Sequence, residues 1–176
     1  MHEQALHFCA KFQNINKGHA LDLGGRYVNG SVHHLWPYMQ WTCVDKIPLD
    51  LTFDPINAGV HDGEYYVLHD AATWTPDKEY DLVICTEVFE HTPDWRDICG
   101  TAFNALKSDG TFLVTCAGPE RPAHSAIDGA KLRRGEHYWN IKPDLLGLYL
   151  KSIDFQRVMI SYDPHACDVY AHAWKS

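Results

Sequence analysis

Carboxylates and histidines recur at the ends of short apolar runs in this sequence, where a sheet of parallel strands would present them to a ligand. The first such run ends Asp22-Leu23-Gly24-Gly25, and the two glycines let backbone approach a bound molecule with no Cβ in the way. The second ends in Asp45, twenty residues after Gly25, a spacing at which one carboxylate can accept hydrogen bonds from both hydroxyls of a ribose. The third ends His69-Asp70-Ala71-Ala72 and the fourth Thr86-Glu87. Glu87, Glu90 and His91 then spell ExxEH, which on a helical turn would gather three side chains on one face. Such a face could hold a divalent cation. His91, His124 and His137 lie near these ends or in the irregular stretch that follows, and histidine suits acid/base work near neutral pH.

The elements that must position these residues can be read from patterning. Residues 2–13 have the apolar spacing of an amphipathic helix, and Asn29–Tyr38 a short helix closed by Pro37. HALDLGG, WTCVD, YYVLHD, DLVICTEV and GTFLVTCAG read as five strands, with a turn at Asp109-Gly110 before the last. Helices are expected over Pro93–Lys107 and, with proline in its first turn, over PDLLGLYLKS. FQRVMISY and CDVYAHAWK make a closing antiparallel pair. Residues 46–64 and 119–140 read as loop. Strands alternating with helices predict an α/β fold, a mostly parallel sheet with helices on both faces.

Composition bounds the partners. The 176 residues are consistent with one domain spanning 1–176, and 15 basic against 23 acidic side chains give a net charge of −8. That balance disfavours a grip on nucleic acid or an anionic membrane, which needs clustered Lys and Arg. The nearest basic patch, Lys131, Arg133 and Arg134, is short, and Arg121, Arg133 and Arg134, which could bind an anionic acceptor, read rather as a solvated loop. No apolar run is long enough to span a bilayer, so a cytoplasmic protein is expected. The six cysteines form no CxxC pair and read as reduced core residues. Nine of the twelve histidines, among them His2, His7 and the His33-His34 pair, have no telling spacing and read as surface or helix-face residues. The tryptophans read as core or pocket wall, with Trp139 set apart by its place beside His137.

Taken in order, these segments resemble the class I S-adenosylmethionine-dependent methyltransferases of the small-molecule type, the methyltransferase type 11 and ubiquinone-pathway O-methyltransferase group. LDLGG matches the family's first motif, VDKIP its acidic second-strand end, HDAATW the third, YDLVICTEVFEH the fourth and LKSDGTFLVTCAG the helix-turn-strand that follows. The resemblance implies a Rossmann-like seven-stranded sheet of order 3-2-1-4-5-7-6 with the last strand antiparallel, and a second-strand helix reduced or missing. It implies that Asp22, Gly24 and Gly25 lie along the methionine part of the cofactor. Asp45 would hold the ribose, Asp70 and Ala71 border the adenine, and Thr86 and Glu87 line the methyl-transfer pocket; Lys46, next to Asp45, is counted among the cofactor-binding residues.

The first glycine turn departs from the family pattern, with Gly24-Gly25-Arg26 where GxG is usual. Two readings stay open: Arg26 reaches the methionine carboxylate, or it points to solvent while Asn29 and Gly30 complete the turn. HYWNIKPDLL is similar to a stretch that borders the active site in the ubiquinone-type enzymes and brings His137 forward with His91, His124 and Glu87 as catalytic candidates. An EVxEH segment there is linked to a metal. Without one, Glu87 is a carboxylate near the cofactor's positive sulfur and His91 orients a loop, and no metal is the expectation at Glu87, Glu90 and His91.

The expected activity is methyl transfer from S-adenosylmethionine to an oxygen or nitrogen of a small-molecule acceptor. The alternatives are a nucleic-acid methyltransferase, which the net charge disfavours, and a non-catalytic binding module, which Arg26 suggests.

Overall fold

The computed structural model describes residues 3–25, 30–48 and 64–176. Seven strands form one sheet: β1 (Gly18–Leu23), β2 (Met39–Asp45), β3 (Tyr65–Leu68), β4 (Tyr80–Thr86), β5 (Leu106–Ala117), β6 (Gln156–Asp163) and β7 (Asp168–Trp174), in the order β3-β2-β1-β4-β5-β7-β6. The pairs β3·β2, β2·β1, β1·β4 and β4·β5 are parallel, and β7 runs antiparallel to both β5 and β6. The expected order and the antiparallel last strand are therefore both present.

Period-two alternation sorts the central strands between two cores. Ala20, Leu82, Ile84 and Leu113 face the side covered by α1 (Glu3–Ala10), where Phe8 and Cys9 pack with Trp36 and Trp41. Leu21, Leu23, Val83, Cys85 and Val114 face the other side, against Ile98, Cys99 and Ala102 of α2 (Trp95–Ala105) and Leu146 and Leu150 of α3 (Pro143–Ser152). Pro143 stands at the start of α3, as the sequence predicts.

Local differences have physical causes. The Asn29–Tyr38 helix is a single 3-10 turn, His33–Leu35, and Asn29 lies outside the described residues. The Asp109-Gly110 turn falls inside β5: pairing steps from Tyr80↔Leu106 to Leu82↔Thr111, and Asp109 has φ 63°. The second-strand helix, expected to be reduced or missing, would fall largely on residues outside the described ones. Five cysteines are buried, but Cys167 is not core: it is half-buried in the β6–β7 turn with φ 55°. No helix among the described residues is long and apolar enough to cross a membrane.

Among the described residues, His33 and His172, read from sequence as surface residues, are instead buried. His172 sits on β7 with its ring 4.1 Å from Phe12 and 3.5 Å from Trp174, and its Nε2 has no hydrogen-bond partner among the described residues. Burial pushes its pKa down to about 4. An unfolded histidine takes its proton near 6.5, so between roughly pH 6.5 and 4 the unfolded chain binds more protons than the folded one. Stability present above pH 6.5 is lost as pH falls through that window, by at most about 3 kcal/mol for this one ring. The thermal midpoint is expected to drop with acid more steeply in the wild type than in His172→Leu. Parallel slopes would assign the loss elsewhere.

Candidate functional site

Beyond the carboxyl ends of β1, β2 and β4 lies a cavity of about 640 Å³, within the size range of small-ligand sites. Its walls bring together most of the residues singled out from sequence. Asp22 and Gly24 come from β1 and its turn, Asp45 and Lys46 from β2, and Asp70 and Ala71 from the turn after β3. Thr86, Glu87 and His91 follow from β4, and His124 from the irregular stretch above it. Gly25 and His137 are not among the lining residues, and Arg26 lies outside the described ones. Trp139 is 65% exposed and contributes backbone only, its N–H donating to Glu90 O at 2.8 Å.

The glycine turn owes its residues to the protein itself. Gly24 has φ 88°, and a Cβ there would stand 2.3 Å from Val88 Cγ2; a Cβ on Gly25 would meet Cys43 Cβ at 2.9 Å. The carboxylates are likewise braced. Asp45 Oδ1 accepts from Ile47 N–H at 2.8 Å, and Asp70 Oδ1 from Ala72 N–H at 2.9 Å. Glu87, held at φ 58°, accepts from Thr115 Oγ1 at 2.7 Å, so a strained backbone aims this carboxylate. Arg121 also lines the cavity, but its guanidinium donates to Asp168 Oδ1 at 2.9 Å and to Ala166 O at 2.7 Å, which neutralises it internally. Four acidic walls, Asp22, Asp45, Asp70 and Glu87, with Lys46 beside them, favour a guest that carries positive charge.

On the upper side, ExxEH does not form the single helical face its spacing suggests. A 3-10 turn covers Phe89–His91, and Glu87 lies outside it. The group that converges is Glu90, His91 and His124, with one ligand atom from each within 4.8 Å of the others. His91 stands edge-on to His124 at 5.0 Å and to Tyr138 at 5.4 Å. Both Glu90 carboxyl oxygens, His91 Nδ1 and the Tyr138 hydroxyl are buried without a hydrogen-bond partner among the described residues. Burial, then the nearby Glu87 charge, raises the Glu90 pKa well above the carboxylate range. Burial and His124 lower that of His91 to about 4. Sequence reasoning missed Tyr138 and the tie of His33 to the site, because neither has a local spacing signal.

The sequence model of the methyltransferase domain family matches residues 4–159. The chain belongs to the methyltransferase domain family. No curated protein matches it. Among solved structures this methyltransferase domain is similar to the DhpI–SAH complex, with TM-score 0.73 and 19% identity over 98% of this chain and 82% of that one. It is also similar to the 1,6-didemethyltoxoflavin-N1-methyltransferase of Burkholderia thailandensis with bound 1,6-didemethyltoxoflavin and S-adenosylhomocysteine, with TM-score 0.69 and 16% identity over 99% and 79%. A third is a phosphoethanolamine N-methyltransferase 2 of Haemonchus contortus, with TM-score 0.73 and 15% identity over 98% of this chain but 52% of that one. These likenesses place the methyltransferase domain in the Rossmann-like fold that its motifs imply.

Proposed function

We propose that this methyltransferase-family chain transfers the methyl group of S-adenosylmethionine to an oxygen or nitrogen of a small-molecule acceptor, within a single domain. The observation that carries the reading is the meeting of four strand-end carboxylates in one cavity. The bound forms named for the DhpI and Burkholderia proteins, which share the fold, support the same donor.

The residues fit that cofactor. Asp22 Oδ1 is a buried acceptor without a partner among the described residues, suited to an ammonium group. Asp45 would hold the ribose hydroxyls with Lys46 beside it, and Asp70 with Ala71 would border the adenine. When bound, the cofactor supplies a methyl carbon on a positively charged sulfur, open to attack by a lone pair. Glu87, at the strained turn after β4, would favour that positive charge, and Thr86 lines the cavity beside it. His91 accepts the acceptor's proton at Nδ1, which its low pKa keeps open, and His124 stands against the same ring. Much of the acceleration comes from alignment, since reacting atoms held about 3 Å apart escape a large entropic cost.

A second reading puts a divalent cation on Glu90, His91 and His124, favoured by the buried polar atoms there that lack partners.

Calorimetric titration with S-adenosylmethionine tests the donor, with micromolar binding expected. Absence of heat at millimolar ligand would leave only a binding module of unknown ligand. Labelled-methyl uptake across small phenols, carboxylates and amines then tests the acceptor class. Uptake into RNA alone would overturn the small-molecule part.

A further inference from the structure

Behind the cavity two buried side chains, His33 and Glu64, have no part in the reaction, yet they join Asp22 in a chain of hydrogen bonds. Glu64 directly precedes β3, His33 lies in the 3-10 turn between β1 and β2, and Asp22 is next to last in β1. His33 Nδ1 is 2.7 Å from Glu64 Oε1, and His33 Nε2 is 2.9 Å from Asp22 Oδ2. The side chains of Glu64, His33 and Asp22 are 5%, 1% and 8% exposed. Trp41 of β2 stacks on the imidazole, ring centres 3.8 Å apart and planes within 11°, and Ser31 Oγ accepts from the His33 N–H at 3.0 Å. The ring is therefore fixed in plane and in position.

Proton counting gives this chain its meaning. A neutral imidazole has one N–H and one lone pair, whereas an ionised carboxylate only accepts. With both ring nitrogens facing carboxyl oxygens, the triad needs an imidazolium between two carboxylates, or a neutral ring beside one protonated acid. Either way its three side chains sum to one negative charge rather than two. Burial opposes the charged ring, but the hydrogen bonds to Asp22 and Glu64 outweigh it and hold the His33 pKa above its ordinary value. The Cys43 thiol, which faces the same ring from β2, is kept protonated by burial and by Asp22 and Glu64. Cys43, His33 and Glu64 could also gather a metal, but both ring nitrogens are already hydrogen-bonded.

Asp22 thus keeps one oxygen for a guest. Its Oδ2 is bound to His33, and its Oδ1 is buried without a partner among the described residues in a residue that lines the cavity. We propose that Glu64 and His33 are a positioning pair that locks Asp22 through Oδ2, so that Oδ1 receives the ammonium group at the amino-acid end of the methyl donor. This rests on the donor proposed above and adds the two residues that set its amino-acid subsite. Neither is among the residues that line the cavity. Through the pair, the edge of the sheet at β3 is tied to the ligand-binding end of β1.

The test compares two ligands that differ in the group concerned. S-adenosylhomocysteine carries the ammonium, and 5′-methylthioadenosine keeps the nucleoside and sulfur but lacks it. Dissociation constants are measured by calorimetry for the wild type, His33→Gln and Glu64→Gln, below the thermal midpoint of each. Both variants are expected to bind S-adenosylhomocysteine roughly tenfold or more weakly, the loss of one charge-assisted contact, while 5′-methylthioadenosine changes less than twofold. Glu64→Gln keeps the side-chain volume and supplies the answer if His33→Gln does not fold. Equal weakening for both ligands, or unchanged affinity for both, overturns the pairing with the ammonium and leaves the triad a stability element. If the wild type binds neither ligand, the donor reading itself has failed, and this inference falls with it.

Discussion

Asp45→Ala is expected to weaken binding of S-adenosylmethionine by about a hundredfold or more, through loss of two hydrogen bonds worth about 1.5–3 kcal/mol each to a charged acceptor. The position of this carboxylate is set twice over. β3 fixes the backbone, with His69 N–H donating to Asp45 O at 2.9 Å, and Ile47 N–H holds Oδ1 at 2.8 Å. The side chain is therefore oriented before any ligand arrives, so little ordering cost is charged against binding. Asp45→Asn keeps an acceptor and loses the charge, and an intermediate loss of about tenfold is expected. Titration calorimetry on the two variants reads both values. Wild-type affinity in Asp45→Ala would mean that the ribose lies elsewhere and that the second-strand end has been assigned the wrong partner.

Asp45 was legible because its signal is local: a strand, an acidic end and a fixed distance from the glycine turn. The same is true of Asp22, Asp70 and Thr86, and of α3, whose observed range Pro143–Ser152 coincides with PDLLGLYLKS. The sheet order was legible only through the resemblance, since no spacing rule in one sequence orders seven strands. What stayed hidden depends on contacts distant in sequence. His33 looks like half of a surface pair until the fold sets it between Asp22 and Glu64, 11 and 31 residues away. ExxEH predicts one helical face, but Glu87 takes a left-handed backbone and the chain tightens to a 3-10 turn, so His124 replaces Glu87 in the cluster. At the glycine turn Val88 and Cys43 also exclude a side chain, a packing demand that no local spacing announces.

His91→Ala is expected to lower kcat by about 10²–10³-fold, in the range of a lost general base, with donor affinity unchanged. Its pKa of about 4 makes the pH profile diagnostic. Below that value the ring is protonated and cannot accept a further proton, so the rate falls on the acid side only as pH approaches 4. A histidine at its ordinary value would already lose rate below 6.5. The profile must be taken where the chain stays folded, because His91 and His172 both withdraw stability as pH drops from 6.5 toward 4. Chelation of the wild type separates the two readings of the upper cluster. A cation on Glu90, His91 and His124 would make turnover vanish on chelation and return with added metal. A proton acceptor at Nδ1 makes turnover indifferent to the chelator and dependent on the acceptor's acidity, since a base this weak takes a proton only as the new bond forms. Indifference is expected, with phenols and other acidic acceptors outpacing simple alcohols. A chelator-sensitive rate would transfer the role of His91 from base to ligand.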